Sequence, residues 1–198
     1  MTSNICKIEN GTNDLNAILK ESERVADYNG FNKKQTLQLR LLCEEMDGML
    51  PNIIDDFSGD FWIEYEDGVC KVNARIEIPE LTIKKKEELI AVSKSKKNAL
   101  AVGIGGKIRS AIENFFLADK KGNCDNLSNM YGLDAEYGFC LDTSLIWSLR
   151  AYKSTVKQEE NEETWDELEK SIIASLADDV IVGVKGKQAN VVIVKKFK

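Results

Sequence analysis

Two adjacent carboxylates, Glu44 and Glu45, lie within an apolar-patterned stretch from Thr36 to Leu50. The sequence contains no histidine, which excludes Ser-His-Asp and Cys-His nucleophile systems and nearly every catalytic zinc site. A general base in this chain would therefore be Glu, Asp or Lys. A bound metal would be a hard ion such as magnesium, but no set of acidic residues has the spacing of a metal-binding loop.

A glycine-rich run, Gly103-Ile-Gly-Gly-Lys107, opens a second helical pattern and is the other candidate for chemistry. Glycine lets the backbone approach a phosphate group closely, and a helix N-terminus favours an anion. Lys107 and Arg109 would add positive charge. A turn that only needs a residue with positive φ explains the same run equally well. The run therefore indicates either an anion site or an ordinary turn.

Amphipathic helices and alternating strands are predicted to position these residues. The clearest element is a hairpin around Asp67-Gly68, the preferred two-residue turn. In chain order the predicted elements are a short strand at Ile5–Glu9, helices at Asn13–Tyr28 and about Lys34–Leu50, a hairpin of Phe61–Glu66 and Val69–Ile78, a charged helical segment up to about Lys97, a helix after the glycine run, helices at Leu141–Tyr152 and Thr164–Asp178, and a hairpin of Val180–Val184 and Asn190–Phe197. No internal repeat or domain linker interrupts this order.

Length and charge restrict the class of protein. A chain of 198 residues can bury one sizeable core, which predicts a single domain. The net charge of −6 argues against a nucleic-acid partner, whose binding site would be basic. No apolar run approaches the roughly 18 residues needed to span a membrane, and the N-terminus lacks the pattern of a signal peptide. A cytoplasmic protein with no membrane contact is therefore expected.

The five cysteines are scattered along the chain without a Cys-x-x-Cys pair. In a protein that is not exported, this pattern predicts reduced thiols rather than disulfides. Cys43 and Cys70 fall on the apolar faces of a predicted helix and a predicted strand, so both are expected to pack in the core.

The order of helix, carboxylate-bearing helix, hairpin, glycine run, helix and late hairpin resembles the GHKL superfamily, which includes gyrase, chaperone, histidine-kinase and mismatch-repair ATPases. The small anti-sigma-factor serine kinases are the most similar in layout. The segment Leu39-Arg-Leu-Leu-Cys-Glu-Glu45 matches the family's lead-in to its glutamate and places Glu45 at that position. The resemblance covers about residues 1–116 and 164–198, and it leaves 118–163 as an insertion.

The resemblance implies a fold and a site. The fold would be α+β, a two-layer α/β sandwich with a mixed, mostly antiparallel sheet and helices on one face, forming a single histidine kinase-like ATPase domain over residues 1–198. Glu45 would be the catalytic residue that orients or deprotonates the attacking hydroxyl or water. Gly103, Gly105, Gly106 and Lys107 would form the cofactor-binding glycine box. The implied cofactor is ATP with Mg²⁺.

Two family positions carry different residues here. Where the family has the asparagine that holds magnesium, this sequence has Met49, and a thioether is a poor ligand for a hard cation. Asn52 or one of Asp55 and Asp56 could substitute from the next turn. Where the family has the aspartate and glycines that read adenine, this sequence has Arg75-Ile-Glu-Ile78-Pro, with neither residue type. In this segment Ile76 is expected on the packed face, and Glu77 is the only nearby carboxylate.

Two functions from different classes follow from the resemblance. In the first, the protein binds ATP and acts as a serine-kinase-like regulator of a partner protein. In the second, it is a degenerate, non-catalytic relative that acts as a protein-interaction or regulatory module. Enzymatic activity stays open between them. A protein partner and a homodimer are both compatible with either function.

Overall fold

The computed structural model describes residues 1–10, 14–54, 56–77, 103–119, 145–158, 171–185 and 187–197. These ranges contain five helices and six strands. The helices are α1 (Leu15–Tyr28), α2 (Lys33–Ile53), α3 (Gly103–Asp119), α4 (Leu149–Gln158) and α5 (Ile172–Leu176). The strands are β1 (Cys6–Glu9), β2 (Ser58–Glu66), β3 (Val69–Glu77), β4 (Leu145–Ser148), β5 (Asp179–Lys185) and β6 (Gln188–Lys196). The α+β class predicted from the sequence is confirmed.

The strands form one open sheet in the order β1-β2-β3-β6-β5-β4. Every pairing between the described strands is antiparallel, so the mixed sheet that was predicted is wrong for this part of the chain. The β2–β3 hairpin turns at Asp67 and Gly68, with φ angles of 49° and 81°. Two successive positive φ angles are those of a type I′ turn, whose twist matches that of the flanking strands.

The helices and one face of the sheet enclose a single core. Alternate residues of each strand point to that face, as the two-residue period of a strand requires. The sheet contributes Phe61, Ile63, Cys70, Val72, Ala74, Ile76, Val180, Val182, Val184, Ala189, Val191 and Ile193. All five described helices add buried apolar residues to the same cluster. Within the described residues, this arrangement is compatible with an α/β sandwich.

The first two helices form a hairpin with defined ends. Asp14 caps α1 by accepting a hydrogen bond from the Ala17 amide. Asn32 caps α2 in a reciprocal capping box with Gln35, an arrangement that satisfies amides left unpaired at a helix start. Between the helices Arg40 donates to Glu23 at 2.8 Å, so α1 and the first half of α2 are tied together.

Helix α2 does not end at Pro51, where the sequence pattern placed its end. It continues to Ile53, and the Ile54 amide donates to the Leu50 carbonyl at 3.1 Å. Proline lacks an amide hydrogen and weakens the last turn. The turn still forms because Leu50, Ile53 and Ile54 are all buried, and this packing outweighs the local preference.

Residues 145–148 form a strand, although a helix was predicted across them. Leu145–Ser148 pairs with β5, and Trp147 is buried in the core. A short apolar run is compatible with either structure, so the neighbouring strand decides between them. This strand and α4 lie within the predicted insertion, yet both belong to the same sheet and core.

Several predicted segments lie outside the described residues. These are Ile78 and the charged helical segment up to Lys97, the first part of the helix predicted over Leu141–Tyr152, and residues 164–170 of the helix predicted over Thr164–Asp178. The described end of that last helix is α5, which stops at Leu176.

Candidate functional site

The predicted catalytic residue Glu45 lies in the middle of α2, between buried Cys43 and Met46. Its side chain is partly exposed. It forms no hydrogen bond or ion pair with the part of the chain that the structure describes. A carboxylate in this state can reach solvent and accept a proton, which a general base requires.

Its neighbour Glu44 has a structural role. The Arg40 Nε atom donates to Glu44 at 3.2 Å, one helical turn away, and Arg40 also contacts Glu23 of α1. Partly exposed ion pairs of this kind stabilise a helix pair modestly. The structure therefore distinguishes the two glutamates, because Glu44 is committed to the α1–α2 contact and Glu45 is not.

The predicted glycine loop is helical. Gly103, Gly105 and Gly106 belong to the first turns of α3, which begins at Gly103. The sequence placed them in a turn before the helix, where positive φ angles would have been useful. None of the three is among the described residues with positive φ. The three glycines have ordinary helical backbone angles, so a positive φ angle is not the reason for glycine at these positions.

Gly105 brings the start of α3 against the C-terminal half of α2. A side chain at Gly105 would meet the Met49 Cγ atom at 3.5 Å and the Asn52 Cβ atom at 3.7 Å. The Arg109 guanidinium, one turn further along α3, donates to the Asn52 carbonyl at 3.4 Å. Since Met49 is one turn beyond Glu45 on α2, the structure places the glutamate helix and the glycine run in contact.

Lys107 does not join this contact. Its ammonium group lies 5.7 Å from the centre of the Tyr152 ring on α4, which is a cation–π arrangement. Successive residues of a helix are about 100° apart, so the Lys107 side chain leaves α3 on the side opposite to Gly105. Two of the four residues predicted to bind the cofactor therefore face different neighbours. Gly105 packs against α2, whereas Lys107 points toward α4.

The positions at which the sequence differs from the GHKL pattern are packed in the core. Met49 is 7% exposed, and Ile76 is fully buried between Gly59 of β2 and Ala189 of β6. Glu77, the neighbouring carboxylate, is exposed and belongs to the opposite face of the sheet. Neither position presents a polar group to a ligand.

The substitutes considered for the missing asparagine give little support for a metal. The Asn52 side chain donates to the carbonyl of Gly48 at 3.2 Å, within its own helix. Asp55 lies outside the described residues, and Asp56 is exposed. Among the residues with described side chains, no group of three or more His, Cys, Asp or Glu could hold a metal ion.

A buried carboxylate that the sequence analysis missed lies at the other end of the sheet. Asp179 is 2% exposed and accepts hydrogen bonds from the Ser148 hydroxyl and from the amides of Arg150 and Val180. Ser148 in turn accepts from the Ala151 amide. The pair caps the start of α4, so the buried Asp179 carboxyl group stabilises a helix end. The signal was a serine, Ser148, directly before the helical pattern that begins at Leu149.

Burial also protects the two core thiols. Desolvation raises the pKa of Cys70 to about 12 and raises the pKa of Cys43 well above its usual value. The thiolate, and not the thiol, is the reactive form. Cys43 and Cys70 are therefore packing residues, as the sequence analysis expected.

We expect stability to fall as the pH rises above about 9, because an unfolded chain releases thiol protons at that pH and the folded chain does not. The contribution of Cys70 is fully present at neutral pH and is lost as the pH approaches its folded pKa of about 12. Urea unfolding at several pH values from 7 to 11 measures the slope of the free energy of unfolding against pH. Cys70→Ala should make it shallower, whereas an identical slope in both proteins would contradict the assignment.

No family model, curated protein or solved structure matches this chain. Among the described helices, none has the length and apolar character needed to cross a membrane.

Proposed function

We propose that this protein is a non-catalytic relative of the GHKL ATPases and acts as a regulatory protein-interaction module. One observation carries this proposal: Met49 and Ile76, at the family positions for the magnesium ligand and the adenine-reading carboxylate, are buried apolar residues of the core. A polar ligand group at either position would have to displace well-packed side chains. Relatedness to that superfamily rests on the resemblance of element order and of the Leu39–Glu45 segment.

The packing between α2 and α3 supports the same conclusion. Gly105 lies against Met49 and Asn52, so the start of α3 packs on α2 about one helical turn beyond Glu45. A helix that packs here replaces the open, anion-binding turn that an ATPase of this type would need. The contact stabilises the fold at the place where the family binds nucleotide.

A protein partner is favoured by apolar side chains that the fold leaves in solvent. Tyr28, at the end of α1, is 76% exposed, and Leu37, near the start of α2, is 55% exposed. Exposed apolar residues are common singly, but those at interfaces are often aromatic. A second copy of the chain or a different cytoplasmic protein would satisfy this proposal.

ATP binding remains a second candidate because of Glu45. Its carboxylate is partly exposed and belongs to the helix that contacts Gly105. In this alternative the protein would bind ATP with Mg²⁺ and act as a serine-kinase-like regulator, with Glu45 as the general base.

A thermal shift experiment separates the two functions. A ligand present at 100 times its dissociation constant stabilises a protein by about 2.7 kcal/mol, which raises the melting temperature of a domain of this size by roughly 5–10 °C. For the non-catalytic module we expect no shift with millimolar ATP and Mg²⁺. The control is ADP without Mg²⁺, which should also leave the melting temperature unchanged.

A clear upward shift with ATP and Mg²⁺ would overturn the non-catalytic proposal. Glu45→Gln then tests the alternative, because it removes the base and keeps the shape of the side chain. In a kinase or ATPase this variant should still bind ATP but lose turnover by about 100-fold or more.

A further inference from the structure

Helix α2 contains two residues that weaken a helix within one turn of each other, Gly48 and Pro51. Gly48 is exposed, and a Cβ atom placed there would have no neighbour within 4 Å. The fold therefore has no steric need for glycine at this position, although glycine is less favourable than alanine inside a helix. Pro51 provides no amide hydrogen for the carbonyl four residues earlier, and its ring crowds that carbonyl.

The carbonyl of Gly48 also accepts a hydrogen bond from a side chain of the same helix. The side chain of Asn52 donates to the Gly48 carbonyl, which is the acceptor that the Asn52 backbone amide would use in a regular helix. A side chain that can hold this carbonyl offers the backbone an alternative to its helical bond. Three features of the sequence thus loosen the same turn of α2.

The polar contacts of α2 before and after this turn are made with different helices, although apolar residues of both parts are buried in the same core. Before it, Arg40 joins α2 to Glu23 of α1 at 2.8 Å, and the capping box at Asn32 holds the helix start. After it, the Asn52 Cβ atom lies 3.7 Å from the place that a Cβ atom on Gly105 of α3 would occupy, and the Asn52 carbonyl accepts a hydrogen bond from Arg109. The helix therefore changes its polar partners at its weakest turn.

We infer that the turn from Gly48 to Pro51 is a hinge, and that the end of α2 moves with α3 while the body of α2 stays with α1. Helix bends occur where glycine or proline interrupts the backbone hydrogen bonds. The body carries Glu45, whereas the end carries the contact with Gly105. Movement at the hinge changes the separation between these two groups.

The hinge rests on the contacts of α2 alone, whereas its effect on Glu45 also rests on the proposed relationship to the ATPases. If the protein is an interaction module, a partner that binds α3 would change the position of α3 relative to α1 by bending α2 at this turn. In an ATP-binding protein, the hinge would control the approach of Glu45 to the glycine run. Both uses require that the end of α2 opens separately from its body.

Amide hydrogen exchange on the full chain, followed by NMR without any nucleotide, tests the hinge. The amides of Met49, Leu50, Asn52, Ile53 and Ile54 should exchange about tenfold or more faster than those of Leu39–Glu44 under native conditions. The double variant Gly48→Ala/Pro51→Ala restores a regular helix and should slow the exchange of Met49–Ile54 by about tenfold or more. Leu37→Ala, an exposed change in the body of α2, should leave that segment unchanged.

Equal protection of the two segments in the natural sequence would overturn the inference. So would unchanged exchange of Met49–Ile54 in the double variant, provided that the core amides of β3 report the same global stability. Because no ligand is used, failure here is distinguishable from failure of the proposed function, which the nucleotide thermal shift decides.

Discussion

Replacing Gly59 by alanine should destabilise the fold by about 3 kcal/mol or more. Gly59 lies in β2 between Ile8 of β1 and Ile76 of β3. A methyl group there would overlap the carbonyl oxygen of Arg75 and lie 3.1 Å from the Ile76 Cα atom. Both are backbone atoms, which cannot rotate away as the end of a flexible side chain can. Two central strands would have to separate, with the loss of their hydrogen bonds.

Urea unfolding followed by circular dichroism measures this loss of free energy. Gly48→Ala is the matched control, since it adds the same methyl group at an exposed site with no neighbour within 4 Å. In contrast to Gly59→Ala, it should stabilise the protein by about 0.5–1 kcal/mol, because alanine favours a helix interior more than glycine does. If Gly59→Ala unfolds at the same urea concentration as the parent, β2 and β3 do not approach as closely as described.

Replacing Met49 by asparagine, the residue that the GHKL ATPases have at the matching position, should destabilise this protein. Met49 is 7% exposed and belongs to the core cluster of α2, α3 and the sheet. Met49→Asn removes buried apolar contacts and places a polar amide within an apolar cluster. Each effect is costly, so we expect a loss of about 3 kcal/mol in the free energy of unfolding. We also expect no gain of ATP binding.

Met49→Leu is the control, because it changes the shape of the side chain without making it polar. It keeps a similar apolar volume and should cost less than about 1.5 kcal/mol. Calorimetric titration of Met49→Asn with ATP and Mg²⁺ checks the second half of the prediction. If Met49→Asn kept the parent's stability and bound ATP, the position would be a vacated metal site and not a core position, and the non-catalytic proposal would fail.

Much of the fold was predictable because it depends on local periodicity. The β2–β3 hairpin was predicted from residues on either side of Asp67-Gly68, and its two positive φ angles are those that this dipeptide adopts easily. Cys43 and Cys70 were expected in the core from the apolar faces of their predicted helix and strand, and both are fully buried. Such features need only neighbours in sequence, so one sequence is enough to identify them.

The candidate site was harder to predict because it depends on which elements meet. The sequence suggested both Glu45 and the glycine run, but their helical packing was not visible in it. The pattern also could not separate Glu44 from Glu45, because the difference lies in the contact of Arg40 with Glu23 of another helix. Asp179 escaped notice for the same reason, since its partner Ser148 is 31 positions away.

The sequence by itself determined the α+β class, the two N-terminal helices, both hairpins and the absence of histidine chemistry. These follow from the composition and from periods of two and 3.6 residues, which act over short distances. Only the tertiary structure decided that 145–148 is a strand, that the sheet is antiparallel in its described part, and that the glycine run is helical and packed on Met49. In each case the energy comes from burial and pairing between residues far apart in the chain, and that energy exceeds the small local preferences.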